Sequence, residues 1–260
     1  MRLRGEIALV TGSTAGIGRA VAVEFAAQGA RVVVTGRNAA RGEAVVEAAR
    51  KAAATGDGEA TFVAVDLADA DAATALVVAA VERFGGLTVL VNNAVGGAEG
   101  SDGPVTKLTT STWEAALRVN LTAPMELCRA AIPHMQAAGH GSIINVSSRQ
   151  AERASRGLTA YIASKGGMNA LTRAIAVDFA GDNIRCNTIS PGYVLNERRD
   201  ADLTTERRAR LEAMHLTRLG QAADVAYAAV YLASRESEFL TGSNLPLDGG
   251  SSVARGQVLG

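Results

Sequence analysis

Short apolar runs alternate with longer segments of helical periodicity almost from one end of the chain to the other. Ile7–Thr11 predicts a strand and Gly16–Gln28 a helix. Arg31–Gly36 and Ala39–Ala54 repeat the pair, followed by strand Ala60–Asp66, helix Asp69–Phe84 and strand Val89–Asn92. The strand segments are rich in Val and nearly continuous in apolar character, the pattern of parallel strands covered on both faces. The helical segments between them are long enough for right-handed crossovers.

The rhythm continues in the second half. Thr110–Ala138 predicts a long helix that Pro124 should bend. Strand Gly141–Ser147, an Arg-containing polar loop, helix Ala160–Ala180 and strand Ile184–Ser190 follow. Residues 193–217 are charged and lack a strand pattern, so they predict a helical excursion, a lid above the sheet. Helix Gln221–Leu232 and a short strand Asn244–Leu247 complete the series. Nothing linker-like or repetitive divides the chain. The expectation is one domain over residues 1–260, a three-layer α/β/α doubly wound parallel seven-stranded sheet of Rossmann type.

Composition narrows the function. The chain has 260 residues, 48% hydrophobic and 20% charged, which excludes a disordered or fibrous protein. Lys plus Arg and Asp plus Glu both number 26, a balance that argues against nucleic acid or a membrane surface as partner. Two cysteines, Cys128 and Cys186, stand without a CxxC motif, so neither structural zinc nor a disulfide framework is expected. The N-terminus lacks a signal-peptide pattern, and no apolar run reaches membrane-spanning length. A cytoplasmic protein without bound metal is the expectation.

The chemistry begins at Thr11-Gly12-Ser13-Thr14-Ala15-Gly16-Ile17-Gly18, where the first strand hands over to the first helix. Glycines there let the backbone turn tightly and let a pyrophosphate approach the amides of the helix N-terminus. The second strand decides the dinucleotide. An acidic residue at its end would bind the ribose hydroxyls, but this chain has Gly36 and then Arg37. With no carboxylate to repel a 2′-phosphate and a guanidinium to pair with it, NADP (NADPH) is favoured over NAD. Asp66, ending the third strand, either accepts from the adenine amino group or caps the next turn.

Tyr161 and Lys165 lie one helical turn apart, on one face. A free phenol titrates near 10; bringing it to about 7 demands roughly 4 kcal/mol of differential stabilisation. A neighbouring ammonium acts in that direction. Ser148, or its neighbour Ser147, can reach the phenol across a substrate carbonyl and donate to a developing oxyanion. Adjacent strand residues point to opposite faces, so only one of the two should do so. Asn120, four residues before Pro124, either satisfies a local bend or holds a water leading from Lys165 to solvent. His134, His140 and His215 are scattered, as surface or helix-end residues, and offer no hydrolytic triad.

Together these motifs resemble the short-chain dehydrogenase/reductase family, in its compact group of about 250 residues. Thr11 to Gly18 resembles the family's cofactor loop, and Asn92-Asn93-Ala94 the motif that ends the fourth strand. Asn120, Ser148, Tyr161 and Lys165 fall where the family keeps its catalytic tetrad, which also selects Ser148 over Ser147. Pro191-Gly192 resembles the turn beside the nicotinamide, and Asp248-Gly249-Gly250 the signature near the carboxyl end. The resemblance implies strand order 3-2-1-4-5-6-7 and a homotetramer or homodimer. Cofactor contacts are implied for Gly12, Ser13, Thr14, Gly16, Ile17, Gly18, Arg37, Asp66, Leu67, Asn93, Ala94, Tyr161, Lys165, Pro191, Gly192, Val194 and Asn196. Tyr161 is then the acid in reduction and the base in oxidation, Lys165 its helper and ribose ligand, Ser148 the polariser of a carbonyl and Asn120 the support of a relay water. The partner is a small ketone or secondary alcohol.

Two positions depart from the family pattern. Val95 stands where the family has Gly, so the loop must keep φ negative there or follow another path. Asn196 stands where Thr is frequent, and its amide can still bond a carboxamide. Specificity should reside in loops Val95–Thr106, Arg149–Ala160 and Tyr193–Thr217. The competing functions are a nicotinamide-binding protein acting through protein contacts and an epimerase or dehydratase that retains its cofactor.

Overall fold

The computed structural model describes residues 1–53, 56–97 and 100–253. The last residue of the second predicted helix, Ala54, and part of the predicted loop Val95–Thr106 lie outside the described residues. Seven parallel strands form one sheet: β1 (Ile7–Val10), β2 (Arg31–Gly36), β3 (Glu59–Ala64), β4 (Val89–Asn92), β5 (Gly141–Val146), β6 (Ile184–Pro191) and β7 (Asn244–Leu247). Their order is β3-β2-β1-β4-β5-β6-β7, so the chain reverses direction across the sheet between β1 and β4. That reversal opens a crevice at the carboxyl ends of the strands.

The helices are α1 (Gly16–Ala27), α2 (Ala39–Ala52), α3 (Ala72–Phe84), α4 (Thr110–Leu117), α5 (Ala123–Ala138), α6 (Thr159–Phe179), α7 (Thr205–Glu212) and α8 (Ala222–Ala233). Successive strand residues point to opposite faces, and both faces are apolar. Ala8 and Val10 of β1 pack with Val32 and Val34 against α1, α2 and α8. Ile7 and Leu9 pack with Val33 and Leu90 against α3, α5 and α6. Burial on both sides explains why the strands read as continuous apolar runs.

The predicted long helix is divided. A π-helical segment, Arg118–Thr122, joins α4 to α5, and Pro124 sits in the first turn of α5. The interruption therefore precedes the proline. Pro124 has no N–H to give the carbonyl four residues back, which is that of Asn120. Among the described residues no helix is long and apolar enough to cross a membrane.

Candidate active site

The glycine loop between β1 and α1 is held from below. Ser13 Oγ donates to the Val10 carbonyl at 2.7 Å and accepts from Thr35 N at 2.8 Å, while Ser13 N donates to the Thr35 carbonyl at 2.9 Å. Ser13 is fully buried, so it fastens the loop to β2 and does not face the cleft. Asn93 Nδ2 donates to the carbonyls of Thr11 (2.9 Å) and Gly12 (3.2 Å), and Gly18 packs beneath it. Gly12 has φ +62°, and a Cβ there would stand 2.8 Å from Ala94 Cα, so only glycine fits. With that frame in place, Gly12, Thr14, Gly16, Ile17, Asn93 and Ala94 line a cleft of about 880 Å³ across the sheet crest. Helix α1 begins without a side-chain cap and without an acidic residue in its first turn. Its amide end suits an anion.

One end of the cleft is lined by Gly36, Arg37, Arg41, Asp66 and Leu67. A Cβ on Gly36 would lie 2.8 Å from Thr14 Cγ2, so the glycine loop itself fills the place where a carboxylate would stand. Asp66 does two things at once. Its Oδ1 accepts from Ala68 N at 3.0 Å, capping the turn, and its Oδ2 lies 3.8 Å from Arg37 Nη1. Arg41 was not singled out from the sequence. Asn38 Oδ1 caps α2 by accepting from Arg41 N at 2.9 Å, and the capped turn brings the Arg41 side chain to the cleft, where Nε is buried without a hydrogen-bond partner. The signal that could have found it is the spacing from the helix cap Asn38 to a basic residue three positions on. An orphaned guanidinium donor beside Arg37 fits an anionic group.

The other end gathers Ser147, Ser148, Tyr161, Lys165, Pro191, Gly192, Val194 and Asn196. Two successive serines at the end of β5 face apart. Ser147 Oγ donates to the Lys165 carbonyl at 3.2 Å, whereas Ser148 Oγ accepts from Gln150 N at 3.1 Å and faces the Tyr161 phenol. Burial pushes that phenol above its ordinary value, opposed by the Ser148 hydroxyl and by the charge of Arg199. Lys165 is 2% exposed; its Nζ donates to the Val146 carbonyl at 2.7 Å and lies 5.9 Å from the centre of the Tyr161 ring. Burial without a counter-charge brings the ammonium down to about 8.

Asn120 lies behind this corner, 1% exposed, in the π-helical segment. Its Oδ1 accepts from Gly96 N at 3.0 Å and its Nδ2 donates to Ser164 Oγ at 3.3 Å. Ser164 in turn donates to the Tyr161 carbonyl at 2.7 Å. Asn120 thus joins the loop after β4 to the helix of Tyr161. In that loop Val95 keeps a negative φ, and Gly97 takes the left-handed conformation at +85° against the Ala115 carbonyl. The departure from the family pattern is absorbed two residues later.

Residues 193–217 carry α7, and the chain beyond them returns through a bridge between Val194 and Gly220. Within that segment, Asp200 accepts from Asn196 N at 2.8 Å and from Tyr193 Oη at 2.5 Å, and pairs with Arg199. The Asn196 amide reaches over Gly16 of the glycine loop. His215 lies at a helix end as expected, just past α7, and is buried there. Its Nδ1 faces the Leu211 carbonyl at 2.8 Å and its Nε2 accepts from Tyr193 N at 3.2 Å, beside Gly192. That pair of bonds fixes the Nδ1–H tautomer and joins the end of α7 to the residue after the Pro191-Gly192 turn.

The family model described as enoyl-(acyl carrier protein) reductase matches residues 12–252. The 2,5-dichloro-2,5-cyclohexadiene-1,4-diol dehydrogenase of Sphingobium indicum is 36% identical over 257 residues, covering 97% of this chain and 98% of that one. A 3-oxoacyl (acyl-carrier-protein) reductase from Agrobacterium tumefaciens C58, solved with NADP bound, superposes with a TM-score of 0.87 at 33% identity, covering 95% of this chain and 94% of that one. A 7α-hydroxysteroid dehydrogenase complexed with NADH and 7-oxo glycochenodeoxycholic acid gives 0.88 at 32% identity, covering 96% and 95%. Likeness of this depth runs through both ends of the cleft and nearly the full length of each protein: the chain belongs to the short-chain dehydrogenase/reductase family and is an oxidoreductase of NAD(P)(H).

Proposed function

We propose that the protein interconverts a ketone and a secondary alcohol, with NADP(H) as the preferred cofactor and Tyr161 as the acid and base. The observation that carries this reading is the meeting of Ser148 and Tyr161 at one end of the cleft, with Lys165 buried one helical turn behind the phenol. When bound, NADPH supplies a hydride from nicotinamide C4. The protein's share is to hold the carbonyl and move the proton. Ser148 Oγ donates to the carbonyl oxygen and Tyr161 Oη delivers its proton as negative charge develops there. Lys165 offsets the resulting phenolate charge, and Asn120 supports the water path by which the proton is replaced. In oxidation the same groups run in reverse.

Preference for NADP rests on this chain's own residues, because relatives of equal likeness carry either dinucleotide. Arg37 and Arg41 flank the position that Gly36 leaves free of a carboxylate. The reading includes a homotetramer or homodimer, supported by apolar side chains left on the surface: Val177, Tyr227 and Phe239 are exposed. It also includes a cytoplasmic setting, in keeping with two buried cysteines that remain free thiols.

The test is a panel of ketones with NADPH, followed by Tyr161→Phe. Loss of the proton donor should lower kcat by about a thousandfold, within the range general acids contribute, while NADPH still binds. Undiminished turnover in that variant would remove Tyr161 from the mechanism.

A further inference from the structure

Helix α6, which carries Tyr161 and Lys165, has no local cap. Its N-cap residue is Leu158, whose side chain accepts nothing. The amides that an N-cap ordinarily satisfies belong to the second and third helical residues, here Ala160 and Tyr161. Both are taken by one carboxylate far away in sequence. Ala160 N donates to Asp102 Oδ1 at 3.1 Å, across 58 residues, and Tyr161 N to Oδ2 at 3.0 Å, across 59. Oδ1 also accepts from Gly103 N at 2.9 Å, which stiffens the loop around it.

Asp102 lies in the connection between β4 and α4, beside Ser101, which lines the cleft. The start of the same connection is held by Asn120 through Gly96 N, and Asn120 reaches Ser164, the residue that donates to the Tyr161 carbonyl. The peptide groups on both sides of Tyr161 are thereby fixed: its N–H by Asp102 and its C=O by Ser164. A charged acceptor on two helix-end amides is stronger than a neutral cap and adds to the favourable field there.

We propose that Asp102 is a positioning residue for the phenol. It caps α6 from the cleft-lining loop, so that ordering of this loop and seating of Tyr161 become one event. This rests on the reading of Tyr161 as proton donor. A displacement of about 1 Å in a reacting group can cost on the order of a hundredfold in rate, so the tether should be felt in kcat.

The experiment compares Asp102→Ala and Asp102→Asn in the full chain. Asp102→Ala should lower kcat for ketone reduction about thirtyfold, with the Kd for NADPH, followed by nicotinamide fluorescence, changed by less than about twofold. Hydrogen exchange at the Ala160 and Tyr161 amides should speed at least about tenfold. Asp102→Asn keeps one carbonyl oxygen as acceptor and should recover kcat to within about fivefold of the parent. The proposal is overturned if Asp102→Ala keeps the parental kcat, if NADPH binding falls in proportion to kcat, or if Asn is as slow as Ala. Retained turnover in Tyr161→Phe would refute the proton-donor reading instead, and the exchange rates at Ala160 and Tyr161 would still decide whether the cap exists.

Discussion

Lys165 shows how function opposes stability at a single residue. Its ammonium is buried with one neutral acceptor, the Val146 carbonyl, and burial lowers it from 10.5 to about 8. That drop corresponds to about 3 kcal/mol of destabilisation when the group is charged. Loss of the hydrogen bond would give back part of any gain, about 1–2 kcal/mol. Lys165→Met should therefore raise the unfolding free energy at pH 7 by about 1–2 kcal/mol, or roughly 2–8 °C in Tm, while turnover collapses. The sign with pH follows from linkage. Between about 8 and 10.5 the unfolded chain holds the proton that the folded chain has lost, so the parent gains stability as pH rises and the advantage of Met fades toward pH 10.5. Calorimetry of both proteins at pH 7 and pH 10 measures this, and a less stable Met variant at pH 7 contradicts it. Other residues were legible to different degrees. Tyr161 and Lys165 stand out because their chemistry and spacing are local, whereas residue spacing alone left Ser148 and Ser147 open; the family resemblance chose Ser148, and Ser147 bonds the Lys165 carbonyl. Asp102 was not legible, and Arg41 only through its spacing from the cap Asn38. A carboxylate capping a helix from 58 residues away leaves no periodic trace, and a guanidinium beside a second one looks like ordinary surface charge.

At the scale of elements, apolar patterning located every strand, most clearly the inner ones that are covered on both faces; ends shifted by one or two residues where turns begin. The long helix was harder. A proline marks a break in sequence, but the π-helical segment lies before it, at Arg118–Thr122, where no residue type announces a widened turn. That segment matters because it brings Asn120 inward to Gly96 and Ser164. The segment 193–217 shows in sequence only as an absence of strand pattern. Its clasp is tertiary: Asp200 holds Arg199, Tyr193 and the Asn196 amide. Burial alone would raise the Asp200 carboxyl, but the bonds from Arg199, Tyr193 and Asn196 outweigh it and bring it down to about 2. A depressed carboxylate contributes fully above its unfolded value of 3.8 and is lost as pH falls through about 2, so the clasp is at full strength at pH 7. Asp200→Asn should loosen the lid without touching the proton donor. The expected result is a KM for the ketone about tenfold higher, with kcat within about threefold, since uniform binding is lost and transition-state bonds are not. A fall in kcat with KM unchanged would mean that the clasp acts on the chemistry.

For the whole molecule, overall charge and local charge tell opposite stories. The chain is neutral in sum, with 26 basic and 26 acidic residues, yet Arg37 and Arg41 line one end of the cleft, where Asp66 is the acidic residue among the described lining residues. The sheet reversal between β1 and β4 creates the crevice, and the glycine loop sets where a pyrophosphate can lie; neither distinguishes the two dinucleotides. The proposed distinction rests on those guanidinium groups, and folding stability would read it without any substrate. A ligand that binds only the folded state stabilises it by about 2.7 kcal/mol at a hundredfold excess over Kd. In a chain of this size that is roughly 5–10 °C in Tm. NADPH at such a concentration should raise Tm by that amount, and NADH at the same concentration by less than about a third of it. Arg41→Ala removes one of two cations and should weaken NADPH about tenfold, or about 1.4 kcal/mol, cutting its shift by roughly 3–6 °C. NADH, which has no 2′-phosphate for Arg41 to meet, should shift the variant as it shifts the parent. Equal shifts by the two dinucleotides in the parent would assign Arg37 and Arg41 to the protein surface and leave the cleft indifferent to the phosphate, whereas a selective loss in Arg41→Ala ties the preference to the donor that the fold buries without a partner.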